Sequence, residues 1–178
     1  GDCMLPPHFI KNHLRLAERD KVVVGGRALL SDAQTTTVLN TQQTIIDNRS
    51  IFSDPKFLKL PLGPLRNLQT KKWQLARTCN MSLFTEDLLK IQGFDEEYVG
   101  WGFEDSDLMV RLIRSGVSIK SGRYSVCVSH LYHPEAPRFN HSVNQPRFSH
   151  LQKTSRHFPN SSSLFCDCSP YISNRAIL

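Results

Sequence analysis

The chain has 178 residues, a formal net charge of +6 and 39% apolar residues, enough for one domain with a buried core and short for two. No apolar run approaches the ~20 residues of a membrane-spanning helix. The charge favours an anionic partner such as a nucleotide diphosphate, an acidic polysaccharide or an acidic membrane surface, whereas Lys and Arg are too scattered among the aromatics for nucleic acid.

Cys3, Cys79, Cys127, Cys166 and Cys168 are odd in number and widely spaced, unlike a secreted disulfide framework. A cytoplasmic location is therefore expected, and the positive charge suits peripheral association with the inner face of a membrane. Cys166-Asp167-Cys168 is tighter than a Cys-x-x-Cys zinc half-site, and only His157 lies near it. No basic-then-apolar leader opens the chain and it does not start with Met, so a processed protein or a piece of a larger one is expected.

In chain order, Pro6-Pro7 ahead of HFIKNHLRLAER predicts a helix, with Phe9, Ile10, Leu14 and Ala17 recurring at helical spacing. VVVGGRALL, residues 22–30, predicts a buried strand with a glycine break. Residues 31–70 carry polar Thr and Gln runs and then Pro55, Pro61 and Pro64, which predicts a long connection with short helical pieces. From Arg77, RTCNMSLF reads as extended; Thr85 is then the expected cap of a helix over EDLLKI that Gly93 ends.

Leu108, Met109, Leu112 and Ile113 form one face of a further helix, closed by Gly116. VSIK and YSVCVSHL predict strands, and alternation puts Tyr124, Val126, Val128 and His130 on one face of the second. From Pro134 onward Pro, Asn, Ser and His dominate, which predicts a flexible stretch with little core. Strands and helices alternate, so the class is α/β.

GWGFEDSDLMVRL, residues 100–112, places Glu104, Asp105 and Asp107 directly behind two glycines and Trp101. Acids in a first helical turn favour the positive end of the helix dipole by ~0.3–1 kcal/mol each, which accounts for one or two of them. Gly100 and Gly102 allow close backbone approach, and the indole offers a flat apolar face of the kind a sugar ring matches. A carboxylate held at a helix start is also rigid enough to take a hydroxyl proton. Capping and function both remain open on spacing alone.

The stretch CNMSLFTEDLLKIQGFDEEYVGWGFEDSDLMVRLIRSG resembles the C-terminal catalytic region of family 2-like glycosyltransferases of the A-type fold. It is similar to β-1,4-galactosyltransferases, bacterial chondroitin-polymerising enzymes and polypeptide N-acetylgalactosaminyltransferases. The resemblance is strong over residues 78–133 and weaker over residues 2–30. It implies the C-terminal part of a nucleotide-diphospho-sugar transferase fold, a mixed sheet flanked by helices, over residues 1–150, with residues 151–178 as a flexible tail.

The same resemblance implies roles. Asp105 would be the general base, Glu104 a ligand of the acceptor hydroxyl, and Trp101 with Gly102 part of the sugar-binding wall. Asn80 and Ser82 would line the donor sugar, although an ordinary buried strand reads equally well there. Phe103 stands where those enzymes have Gly and Ser106 where they have a third acid, which leaves the acceptor unassigned.

HLYHPE, residues 130–135, sets two histidines three apart at a strand end. By resemblance His133 and His130 are metal ligands. In GDCMLPPHFI, Asp2 matches the second acid of an Asp-x-Asp motif, so that the chain would start inside the metal site. Mixed Asp and His ligands suit Mn²⁺ first and Mg²⁺ second. Arg138, Arg147 and Lys153 are candidates for diphosphate contact.

The implied activity is a metal-dependent, inverting transfer of a hexose or N-acetylhexosamine from a UDP-sugar to a hydroxyl of a glycan or glycolipid. The alternatives are a carbohydrate-binding fragment without chemistry and a metal-dependent hydrolase.

Overall fold

The computed structural model describes residues 2–41, 63–68, 71–76, 78–134, 140–154 and 176–177. It has the expected α/β architecture, with mixed sheets flanked by helices. The helices are α1 (Phe9–Leu16), α2 (Asp32–Thr41), α3 (Thr85–Lys90), α4 (Glu104–Arg114) and α5 (His141–Lys153). The strands are β1 (Cys3–Met4), β2 (Lys21–Val24), β3 (Gly26–Leu29), β4 (Met81–Phe84), β5 (Ser118–Ser121), β6 (Cys127–His130) and β7 (Ala176–Ile177).

Two sheets divide the strands, β1-β6-β3 and β5-β2-β4-β7, each with parallel and antiparallel pairs. The run VVVGGRALL is thus two strands rather than one. Gly25 passes the chain from β2 in one sheet to β3 in the other, and a side chain there would collide with the carboxamide of Asn80. The close approach of Asn80 therefore calls for a glycine at this position.

The main core lies between β2, β4, β5 and α4, where Val22, Val24, Met81, Leu83, Leu108, Met109, Leu112 and Ile119 are buried together. Each such side chain contributes ~1.5–3 kcal/mol by leaving water. Helix α4 ends at Gly116, whose φ of +106° suits only glycine well, and the amide of Val117 returns to the carbonyl of Leu112. Inside this core Arg111, fully buried, pairs through Nε with Asp107 Oδ2 at 2.6 Å. It also donates to the carbonyls of Ile91 and Gly93, so the charge is compensated where it sits.

Other expectations are corrected. Thr85 is the first residue of α3 rather than its cap, and Phe84 precedes it without a side-chain capping bond. Tyr124 lies in a turn with φ +62°, before β6 begins, and does not extend the Val126–Val128–His130 face. Residues 141–153 form a helix, α5, where little core was expected. Its Asn144, Phe148 and Leu151 recur at i, i+4 and i+7 and are buried, and Phe148 and Leu151 pack with Val110 of α4. This helix runs past residue 150, and Ala176–Ile177 pair with β4, so parts of 151–178 belong to the fold.

The expected helical pieces in residues 31–70 appear as α2 and a 3-10 turn at Gly63–Asn67. Cys166, Cys168, His157 and Arg138 lie outside the described residues. Among those described, no helix is long and apolar enough to cross a membrane.

Candidate active site

Two clusters of the expected residues come together. The first is built by strand pairing: β1 runs antiparallel to β6 with Cys3 opposite His130, and the amide of Leu131 donates to the carbonyl of Asp2. This register sets Asp2 beside both histidines. Its Oδ2 lies 3.2 Å from His130 Nε2 and 3.1 Å from His133 Nε2, and the three ligand atoms lie within 4.8 Å of one another.

The hydrogen-bonding partner of His133 narrows the chemistry. Its Nδ1 is 2.8 Å from the carbonyl of Pro134, which can only accept, so Nδ1 carries a proton. In the neutral ring Nε2 then presents a lone pair to a carboxylate oxygen. Two acceptors at that distance repel unless a cation lies among them or the ring takes a second proton. A backbone carbonyl bonded to the far nitrogen is the usual way to orient a metal-binding imidazole. Burial works against the charge on Asp2, but the Cys3 thiol, the residue's own amide and both imidazoles outweigh it and hold the carboxyl below its usual range. The donor set therefore fits a divalent cation.

The second cluster is the acidic turn. Phe103, φ +73°, precedes α4, and the carboxylate of Glu104 folds back so that Oε2 accepts the amide of Gly102 at 2.8 Å. Asp105 Oδ2 accepts the amide of Thr78 at 3.2 Å. Its other oxygen, Oδ1, is buried and, like Asp87 Oδ2, receives no hydrogen bond among the described residues, an arrangement that costs ~1–3 kcal/mol where no donor is supplied. Trp101 is 47% exposed and stacks on the His141 ring at 6.1 Å and 26°.

The clusters meet through thiols. Cys3 donates to Asp2 Oδ1 at 3.4 Å and is hydrogen-bonded to Cys79, the neighbour of the Thr78 that holds Asp105. Burial, with the Asp2 carboxylate, pushes the Cys3 thiol up to about 12, so it stays protonated as a donor.

Asn80 and Ser82 do not line this site. Both are buried, and both bond to His13 of α1: Ser82 Oγ to Nδ1 at 2.8 Å and Asn80 Oδ1 to Nε2 at 3.0 Å. Asn80 Nδ2 is spent on the carbonyls of Gly26 and Val126, which leaves Oδ1 as an acceptor and puts the imidazole proton on Nε2. Gly102 is also turned inward, its amide taken by Glu104 and its carbonyl by Asn144. Arg147 is bound to Asp95 and Glu97 rather than free for a diphosphate, and Lys153 is exposed at the end of α5. Sequence reasoning missed Thr78 and His141; neither carries a motif that separates it from an ordinary polar residue.

Residues 67–137 match the family model described as "N-terminal domain of galactosyltransferase". The segment is galactosyltransferase-like. It contains the acidic turn, His130 and His133, while Asp2 and α5 lie outside it. The model's description names an N-terminal domain where the resemblance implied a C-terminal part. Validoxylamine A glucosyltransferases from Streptomyces hygroscopicus subsp. jinggangensis (strain 5008) and subsp. limoneus are each 40% identical over 53 residues. That is 30% of this chain and 13% and 12% of theirs, so the match spans about an eighth of each curated relative. The fold is glycosyltransferase-like.

Proposed function

We propose that the chain is part of a metal-dependent, inverting glycosyltransferase that moves a hexose or N-acetylhexosamine from a UDP-sugar to a hydroxyl of a glycan or glycolipid. The observation that carries this reading is the Asp105 carboxylate, whose Oδ1 meets no hydrogen-bond donor among the described residues, on a turn behind an exposed indole, in a chain that also gathers Asp2, His130 and His133 into one group. The galactosyltransferase-like match over the same turn supports it.

Asp2, His130 and His133 would hold the cation, with Mn²⁺ preferred over Mg²⁺ by the imidazole donors. A divalent ion there supplies positive charge to the departing diphosphate. Asp105 takes the proton of the acceptor hydroxyl, while the Thr78 amide on Oδ2 fixes the carboxylate's direction. The hydroxyl oxygen forms the new bond to the anomeric carbon as the bond to the diphosphate breaks. A base on the side away from the leaving group gives inversion. Trp101 provides the apolar face for the acceptor ring, and the rigidity of α4 keeps the base in place. The free thiols Cys3, Cys79 and Cys127 agree with a cytoplasmic setting for this reaction.

The test is Asp105→Asn in the intact protein, assayed with a panel of UDP-hexoses. Transfer should fall ~10²–10⁴-fold, the usual contribution of a positioned base, with Mn²⁺-dependent UDP binding unchanged. Normal transfer by the variant refutes the base. Sugar binding indifferent to both UDP and Mn²⁺ would favour a carbohydrate-binding fragment instead, and turnover of a substrate lacking a nucleotide would favour a hydrolase.

A further inference from the structure

The turn that carries Trp101 has a backbone that does not hold itself. Gly100, Gly102 and Phe103 all have positive φ, at +68°, +119° and +73°, and a chain in that region makes no repeating ladder of its own bonds. Glu104 takes the Gly102 amide, and one side chain of α5 meets the carbonyls of the turn. Asn144, 1% exposed, donates through Nδ2 to the carbonyls of Gly102 at 3.1 Å and Val99 at 3.2 Å, with that of Trp101 at 3.5 Å. Its Oδ1 accepts the amide of Val99 at 3.4 Å. A carboxamide offers both functions in one plane, which no other side chain except Gln does.

The rest of α5 works in the same direction. Phe103 stacks on Phe148 at 5.2 Å and meets the His141 ring at a tilt at 4.8 Å, which offsets the cost of its left-handed backbone. Further along, Arg147 grips Asp95 and Glu97 at the start of the same loop. The helix lies beyond the galactosyltransferase-like segment, so this support is added by a part of the chain that the match does not cover.

We propose that Asn144 is a positioning residue for the carbohydrate side of the site: its carboxamide fixes the Val99–Gly102 backbone, so that Trp101, Glu104 and Asp105 keep one relative placement. The proposal rests on the reading that this turn receives a sugar. Asn144 touches no substrate and acts through the backbone it holds.

The test uses the intact protein carrying Trp73→Phe, which leaves Trp101 as the sole indole in this chain. Into it go Asn144→Asp, the same shape without the donors, and Asn144→Ala. Amide exchange over residues 99–105 should quicken about tenfold, while exchange in β5 and β6 and the affinity for Mn²⁺ stay unchanged. Glucose, galactose and N-acetylglucosamine should each be titrated against Trp101 emission, and the variants should need about tenfold more of whichever sugar responds. Unchanged exchange over 99–105 overturns the role of Asn144, as does a rise shared equally by β5 and β6. A parent protein whose Trp101 emission ignores every sugar overturns the carbohydrate reading instead, on a separate signal.

Discussion

Two groups of histidine and oxygen in this molecule look alike on paper and differ in kind. Around His13 every polar atom faces its complement: Ser82 gives a proton to Nδ1, Nε2 gives one to Asn80, and Asn80 is itself held by two backbone carbonyls. Around Asp2, His130 and His133, one carboxylate oxygen lies 3.2 Å and 3.1 Å from two imidazole nitrogens that share no further side-chain partner among the described residues. The first arrangement is complete and its interest is stability. The second offers its ligand atoms within 4.8 Å of one another, and its proposed interest is binding. The same contrast separates two aspartates of α4: Asp107, paired with Arg111 and Tyr98, is structural, while Asp105 has one oxygen unmatched among the described residues.

The comparison breaks most visibly at His13. Replacing it with Ala takes their His13 partner from the buried Ser82 Oγ and Asn80 Oδ1 and opens a cavity, so unfolding in urea should show a loss of ~3–5 kcal/mol. Mn²⁺ affinity, measured on the folded fraction, should not change. His133→Ala should do the reverse. Calorimetric titration should find Mn²⁺ binding weakened by at least ~100-fold, the upper end of what losing even an outer-shell partner costs, with the metal-free Tm nearly unmoved. An equal loss of stability from both variants would erase the distinction.

Acid sharpens it further. Burial holds the His13 imidazole below its ordinary value of 6.5, although Asn80 pulls the other way. The unfolded chain therefore takes the proton first as pH falls. Stability from this group is complete above pH 6.5 and declines below it, by at most ~1.4 kcal/mol per pH unit. Melting curves between about pH 7.5 and about pH 5 should show that decline with His130 and His133 replaced, and should lose it in His13→Gln. The smallest effect is expected at Phe103. Glycine suits a φ of +73° but abandons the stack on His141 and Phe148, so Phe103→Gly should shift stability by less than ~1 kcal/mol in either direction. Its sign, from denaturant midpoints, tells which term is larger.

Much of the scaffold could be read from residue spacing, because burial periodicity and glycine stops are local. Leu108, Met109 and Leu112 announced α4, and Gly116 its end. The division of VVVGGRALL between two sheets was not legible, since it depends on Asn80 reaching Gly25 from a distant part of the chain. For the same reason Asn80 and Ser82 read as site residues until their partner His13, contributed by α1, was seen. Helix α5 escaped notice because Pro146 interrupts it and its inward face is only Asn144, Phe148 and Leu151 among polar neighbours. The acidic turn and the two histidines were legible because their residue types are unusual at that spacing. The unmatched oxygen of Asp105, which gives the turn its meaning, is a matter of three dimensions.

Strand β1 pairs with β6 through Cys3 opposite His130 and Met4 opposite Ser129. An ion gripped by Asp2 on one side and by the imidazoles at the end of β6 on the other would act as a clasp across that edge. Loading the site and fastening the segment that leads into α1 would then be one event, and the protein's readiness for chemistry could be followed as the firmness of a single short ribbon.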